Sequence, residues 1–310
     1  MTRIRADILI LMAAVIWGVA FVFQKTAMDH MGPFLFIASR ALVAALILAP
    51  LALLAERSVQ RCDNAKGLGD LVALAGVGGV LFFLGAAAQQ AGLQTATVTN
   101  TGFLTGLYVV FTPLVAWVIN RKAPSVVVWP AIGASFVGAW LLGGGSLGAF
   151  SRGDGLVALC SIFWAAHVVA TGRASRYGNA AMFTAVQFAT VAVLGLACAF
   201  AFETVSLAQV RAGWIEIAFV GVLSSALTFT LLTIAMRHTP PAEASIIASF
   251  EMVIAAIAGY VWFGERLGWL GIMGGALMLL ACVIVQLGPV LEHFPAKWIP
   301  VRRKRAPRKV

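Results

Sequence analysis

The chain reads as an all-α polytopic membrane protein, with ten transmembrane helices arranged as two inverted five-helix repeats around a central cavity. Three observations predict this. Of 310 residues, 61% are hydrophobic and only 11% charged, and the mean hydropathy is +0.95. A soluble domain carries about 25% charged residues. Ten apolar stretches follow one another along the chain, each close to the roughly 20 residues that a span needs. The second five stretches echo the first five. Trp164, Phe183 and Gln187 follow Trp17, Phe36 and Arg40, each 147 residues later. An odd number of spans per repeat turns the second copy over in the bilayer, and carriers built this way hold their substrate between the copies near the midplane.

The spans are expected at 8–27, 34–55, 70–91, 98–119, 126–144, 154–173, 180–202, 213–236, 243–263 and 267–288. The connections are short, which leaves no room for a soluble domain between spans. The first span has two arginines before it but no small-residue cleavage site leading into a soluble domain, so it is not read as a signal peptide. Cys62, Cys160, Cys198 and Cys282 are scattered, with neither a pairing pattern nor metal-ligand spacing.

Basic residues set the orientation. With the N-terminus in the cytoplasm, the inner side holds Arg3, Arg5, Arg57, Arg61, Lys66, Arg121, Lys122, Arg173, Arg176 and Arg237. The outer side holds Lys25, Arg152, Arg211 and Arg266. The seven basic residues of the tail add to the inner side if the span count is even. The positive-inside rule therefore predicts both termini in the cytoplasm and a location in the cell (inner) membrane. Without the tail the net charge falls from +10 to +3. A basic tail after a span fits anionic lipid better than nucleic acid, so membrane lipids are the expected partner and nucleic acid is not.

The first repeat covers 7–145, the second 154–288, and residues 289–310 form the basic tail. The linker Gly143-Gly144-Gly145-Ser146-Leu147-Gly148 has the composition of a flexible hinge. Each repeat opens on an acid, Asp7 and Asp154. Each has a first span with a tryptophan followed by small residues. Each has a threonine turn before its fourth span: Gln94-Thr95-Ala96-Thr97 in the first and His238-Thr239-Pro240-Pro241 in the second.

Short motifs recur in a fixed order. Ala14-Val15-Ile16-Trp17-Gly18 lies in span 1, Ser39-Arg40-Ala41-Leu42 in span 2 and Thr112-Pro113-Leu114 in span 4. Gly264-Glu265-Arg266-Leu267, then Gly271 and Gly274-Gly275, mark spans 9 and 10. In these residues the chain resembles the drug/metabolite transporter superfamily in its ten-span EamA-type branch, over nearly its whole length. The resemblance implies a ten-helix basket with a central cavity that moves small metabolites. Amino-acid exporters of the YddG type are one branch it resembles. Span 9 departs from the pattern. Glu251-Met252-Val253 stands where members often show a Glu-Pro pair, which removes the usual reason for a kink there.

Candidate transport residues are polar or indole groups inside apolar spans. In span 4, Thr97, Thr101, Thr105, Tyr108 and Thr112 fall within an arc of about 80° on one continuous helix. Such a stripe either lines a cavity or packs by bonding back to its own carbonyls. Tyr108 favours the cavity because its hydroxyl needs a partner at depth, whereas Asn100 lies off the stripe and suits a bond to a neighbouring helix. Trp17, Ala20 and Gln24 share a face of span 1, and Trp164, His167 and Thr171 share the matching face of span 6. An indole normally marks the membrane interface, but both tryptophans sit about ten residues into their spans. His167 is either a bonded packing residue or a contact for substrate or proton.

Arg40 lies about 9 Å along span 2. It either snorkels to the outer interface or meets a substrate carboxylate or gating acid. Glu251 is the one acid well inside a span. It binds a proton or a substrate ammonium group, pairs with a buried cation, or stays protonated as a packing group. Gln89 near the end of span 3 is a further candidate, and Glu265-Arg266 reads as a turn element. The predicted binding set is Trp17, Gln24, Arg40, Gln89, Thr101, Tyr108, Trp164, His167 and Glu251.

There is no Gly-x-Ser-x-Gly, no Walker loop, no His-Glu-x-x-His and no clustered metal ligands. The expectation is therefore a secondary carrier of a small-molecule substrate, with no cofactor or metal and no catalytic residues. It would act by alternating access, most simply as an exporter of amino acids or related compounds. The competing readings are a flippase for a lipid-linked substrate and an integral membrane enzyme.

Overall fold

The computed structural model describes residues 1–59, 65–121, 123–124, 126, 128–146 and 150–293. The seven basic residues of the tail, and Cys62, lie outside the described residues. The first half is built from α1 (Arg3–Ala27), α2 (Pro33–Val59), α3 (Ala65–Leu93), α4 (Val98–Thr105), α5 (Tyr108–Asn120) and α6 (Val128–Leu142). The second half holds α7 (Arg152–Ala174), α8 (Ala180–Phe202), α9 (Leu207–Ala212) and α10 (Trp214–Ala218). A π-helical stretch, Phe219–Leu227, leads into α11 (Thr228–Ala235), then α12 (Pro241–Ala248), α13 (Glu251–Phe263) and α14 (Trp269–His293). Eight segments are long and apolar enough to cross a membrane, and two shorter apolar helices, Val128–Leu142 and Trp269–Ile284, complete the set. We call the face where α1 begins the N face.

The surface suits lipid. Ile4, Leu46, Val118, Phe200 and Val261 are exposed, which water would disfavour. Trp117, Trp129, Trp140, Trp214, Trp262 and Trp269 are exposed near helix ends, where an amphipathic ring can meet the headgroup level.

The two halves correspond span by span, with α3 matched by the run of α10, the π-helical stretch and α11. Pro33 opens α2, and Ala180 opens α8, 147 residues later; Tyr108 opens α5, and Glu251 opens α13, 143 residues later. The left-handed residues Arg121 (φ 57°) and Gly264 (φ 65°) end α5 and α13 at the same offset. Short polar ties join the halves at both faces. At the N face Thr239 donates to Asp7 at 2.7 Å, and Arg3 pairs with Glu243. At the opposite face Asn100 donates to Asp154 at 3.1 Å. The backbone N–H groups of Phe34 and Leu35 donate to Glu203, and those of Val98 and Thr99 to Glu265. These carboxylates satisfy helix N-termini that apolar surroundings would otherwise leave bare.

Two expectations for this region are corrected. The fourth span is not one helix: it breaks at Gly106-Leu107, so the five-residue stripe is divided between α4 and α5. The ninth span breaks at the matching place, Ser249-Phe250, without a proline. The Ser249 hydroxyl donates to the Ile246 carbonyl at 2.6 Å, competing locally with the helix ladder. The breaks meet each other. A Cβ on Gly106 would fall within 2.8 Å of three side-chain atoms of Met252, and one on Gly102 within 2.5 Å of the Ala255 Cβ. Small residues let the two discontinuous spans cross closely.

Candidate functional site

The breaks open onto one cavity between the halves. Among its lining residues are Trp17, Gln24, Arg40, Gln89, Tyr108, Trp164, His167 and Glu251, eight of the nine predicted site residues. Thr101 is corrected. It is fully buried, and its hydroxyl donates to its own helix at the Thr97 carbonyl at 2.7 Å. Thr101 is not among the residues that line the cavity. Thr105, one turn deeper, does line the cavity and accepts a bond from Gln89 at 2.9 Å.

Aromatic rings form one wall. Phe229 lies between the two tryptophans, with ring centroids 4.9 Å from Trp17 and 6.2 Å from Trp164. Phe82 meets Trp164, His167, Phe188 and Phe229 edge to face at 4.9–5.6 Å, a favoured aromatic geometry. The tryptophans therefore do not face each other across open space; each packs on Phe229. The Trp17 indole donates to the Ser224 carbonyl at 3.0 Å. Ser224 belongs to the π-helical stretch, whose wider turn leaves its carbonyl to the indole and to the Thr228 hydroxyl at 2.6 Å.

Arg40 and Glu251 carry the charge. Arg40 is 4% exposed and Glu251 5%, so Arg40 does not snorkel. The Arg40 guanidinium lies over Phe36 and Phe82, 5.6 and 5.7 Å from their centroids, and donates to Gln24 at a long 3.5 Å. Its Nε has no partner among the described residues. Glu251 opens α13, where the helix dipole favours a negative charge. Neither residue belongs to an ion pair among the described residues. Tyr108, at the matching start of α5, donates to the Ser245 carbonyl at 3.3 Å across the cavity.

Among the described residues no group of three or more His, Cys, Asp or Glu could hold a metal ion. The residues that sequence reasoning missed are Phe82, Phe229 and Ser224. A phenylalanine or serine in an apolar span carries no anomaly. The repeat relation matches Phe82 with Ser224 at an offset of 142, but it pairs Phe229 with Ala87, which is not in the cavity wall.

The profile of the EamA-like transporter family matches residues 4–144 and 151–287. An "uncharacterized transporter" of Archaeoglobus fulgidus is 28% identical over 286 residues, covering 92% of this chain and 87% of its own. A second Archaeoglobus fulgidus protein of the same description is 32% identical over 71 residues, 23% of this chain and 26% of its own. One solved crystal structure superposes with a TM-score of 0.65 at 17% identity, covering 94% of this chain and 100% of that one.

Proposed function

The chain belongs to the EamA-like transporter family, and on that premise we propose that it carries small amphipathic zwitterions, amino acids and related compounds, across the cytoplasmic membrane by alternating access. One observation carries this reading. A buried cation, Arg40, and a buried acid, Glu251, line one cavity, and neither is in an ion pair among the described residues. Burying a lone charge costs several kcal/mol. A substrate with a carboxylate for Arg40 and an ammonium group for Glu251 relieves both costs together. The aromatic wall of Trp17, Phe82, Trp164 and Phe229 suits the apolar side chain of such a substrate.

The N face is read as cytoplasmic because Arg3, Arg5, Arg121, Arg173, Arg176 and Arg237 lie there, against Lys25, Arg152, Arg211 and Arg266 on the other side. Counterflow of radiolabelled L-phenylalanine in proteoliposomes tests the reading. Unlabelled phenylalanine should exchange, while phenethylamine and 3-phenylpropionate, each lacking one charged end, should compete at least tenfold more weakly. Arg40→Gln and Glu251→Gln should each cut exchange at least tenfold, because removing one partner of a desolvated charge contact costs about 2–5 kcal/mol. Equal competition by all three compounds would reject the zwitterion.

A further inference from the structure

The two repeats treat the same pair of positions differently. In the first, Gln24 on α1 and Arg40 on α2 line the cavity. At the same 147-residue offset, the second repeat holds Thr171 on α7 and Gln187 on α8. The packing around them confirms the correspondence. A Cβ on Gly79 would lie 2.8 Å from the Gln187 carbonyl, and one on Gly221 3.0 Å from the Arg40 carbonyl. Yet Thr171 and Gln187 are each 0% exposed and lie outside the cavity wall.

That closed pair is chemically unfinished. His167, which does line the cavity, shares a 2.7 Å hydrogen bond between its Nε2 and the Gln187 Oε1. Its own Nδ1, the Gln187 Nε2 and the Thr171 hydroxyl have no partner among the described residues. Three adjacent buried polar groups without partners are expensive, at about 1–3 kcal/mol each. Threonine usually avoids that expense in this fold by bonding its own helix, as Thr112, Thr184, Thr228 and Thr233 do. Thr171 does not.

His167, Thr171 and Ser175 stand at steps of four along α7. Ser175 lines a separate cleft at the N face, together with Gly172 and Met236. Met236 also lines the central cavity, so it stands between the two spaces.

We propose that His167, Thr171 and Gln187 form a second substrate station on the N-face side of the cavity, the uncharged repeat-related counterpart of Arg40 and Gln24. Inverted copies of one fold can exchange arrangements. The pair open in one state is then closed in the other, and the access side changes with it. In the exchanged state the Thr171 hydroxyl and the Gln187 amide donate to the carboxylate of an amino acid. They do so without a formal charge, so the substrate is held less firmly than at Arg40. This assignment of the ligand rests on the zwitterion reading above.

Two measurements test it. In a protein with Cys62, Cys160, Cys198 and Cys282 replaced by serine, Thr171→Cys should react with the anionic reagent sodium (2-sulfonatoethyl) methanethiosulfonate added at the N face and not from the other side. In the native background, Thr171→Val keeps the shape and removes the hydroxyl. It should raise the KM for L-phenylalanine entering from the N face at least threefold, with unchanged KM from the other face and no loss of thermal stability. An unreactive Thr171→Cys overturns the station, and so does Thr171→Val transport like wild type from both faces. If the wild type moves no phenylalanine, the zwitterion reading falls, and cysteine reactivity alone decides the station.

Discussion

Arg40 offers a way to separate transport from stability at a single residue. Among the described residues its guanidinium contacts two phenylalanine rings and one distant amide but no acid, so the fold bears the cost of burying it without an ion pair in return. Arg40→Gln should leave the melting temperature in detergent unchanged or higher while transport falls. A fall in melting temperature of more than about 5 °C would mean that the cation supports the fold. Arg40→Lys should restore less than half of the flux, since an ammonium lacks the planar fork that binds a carboxylate with two bonds and stacks on rings. These residues were legible in the sequence because a charge, amide or indole at depth in an apolar span has few structural excuses. Thr101 and Thr105 share a helix face and a residue type, so no pattern could divide them. What divides them is where the cavity ends, and its wall is completed by residues of both halves, such as Trp164 and Glu251. Phe82 and Phe229 were invisible for the opposite reason, as apolar groups in apolar segments.

At the scale of elements, the repeat made helix correspondence readable, but not the helix breaks. The break at Gly106-Leu107 arises where α4 and α13 cross, and it requires Met252 to occupy the space a side chain on Gly106 would fill. That is a tertiary reason: Gly102 and Gly106 signal a close crossing in the sequence, but no proline stands at the break to announce it. The π-helical stretch is equally silent in the sequence. Close crossings make a paired prediction on α3. A Cβ on Gly79 would meet the Thr190 Cβ at 2.6 Å and the Gln187 carbonyl at 2.8 Å, whereas one on Gly76 meets nothing within 4 Å. Gly79→Ala should therefore destabilise the protein by about 1–3 kcal/mol, because backbone must move. Gly76→Ala should be neutral or stabilise by up to about 1 kcal/mol through helix propensity. Thermal unfolding of the two variants in one detergent compares them directly. Equal stability would mean that α3 and α8 are not packed this closely.

Across the whole molecule, repetition and orientation are one argument. Five crossings per repeat bring the second copy in upside down. Only then can Asp7 and Asp154, which open the two halves, tie down the start of the other half's broken span from opposite faces, Asp7 at Thr239 just before α12 and Asp154 at Asn100 in the first turn of α4. The same count returns α14 to the N face, the face where α1 begins. Arg176, after α7, and Arg211, in α9, are exposed and lie one crossing apart, with α8 running between their faces. Single cysteines at Arg176 and Arg211, in a cysteine-free background, should label from opposite sides of intact cells. Arg211→Cys should react with a membrane-impermeant maleimide added outside, and Arg176→Cys only after the cells are opened. Reaction of both from outside would remove the odd crossing count per repeat. With it would go the inversion that lets a charged pair on one side of the cavity and its uncharged counterpart on the other alternate as the substrate's two stations.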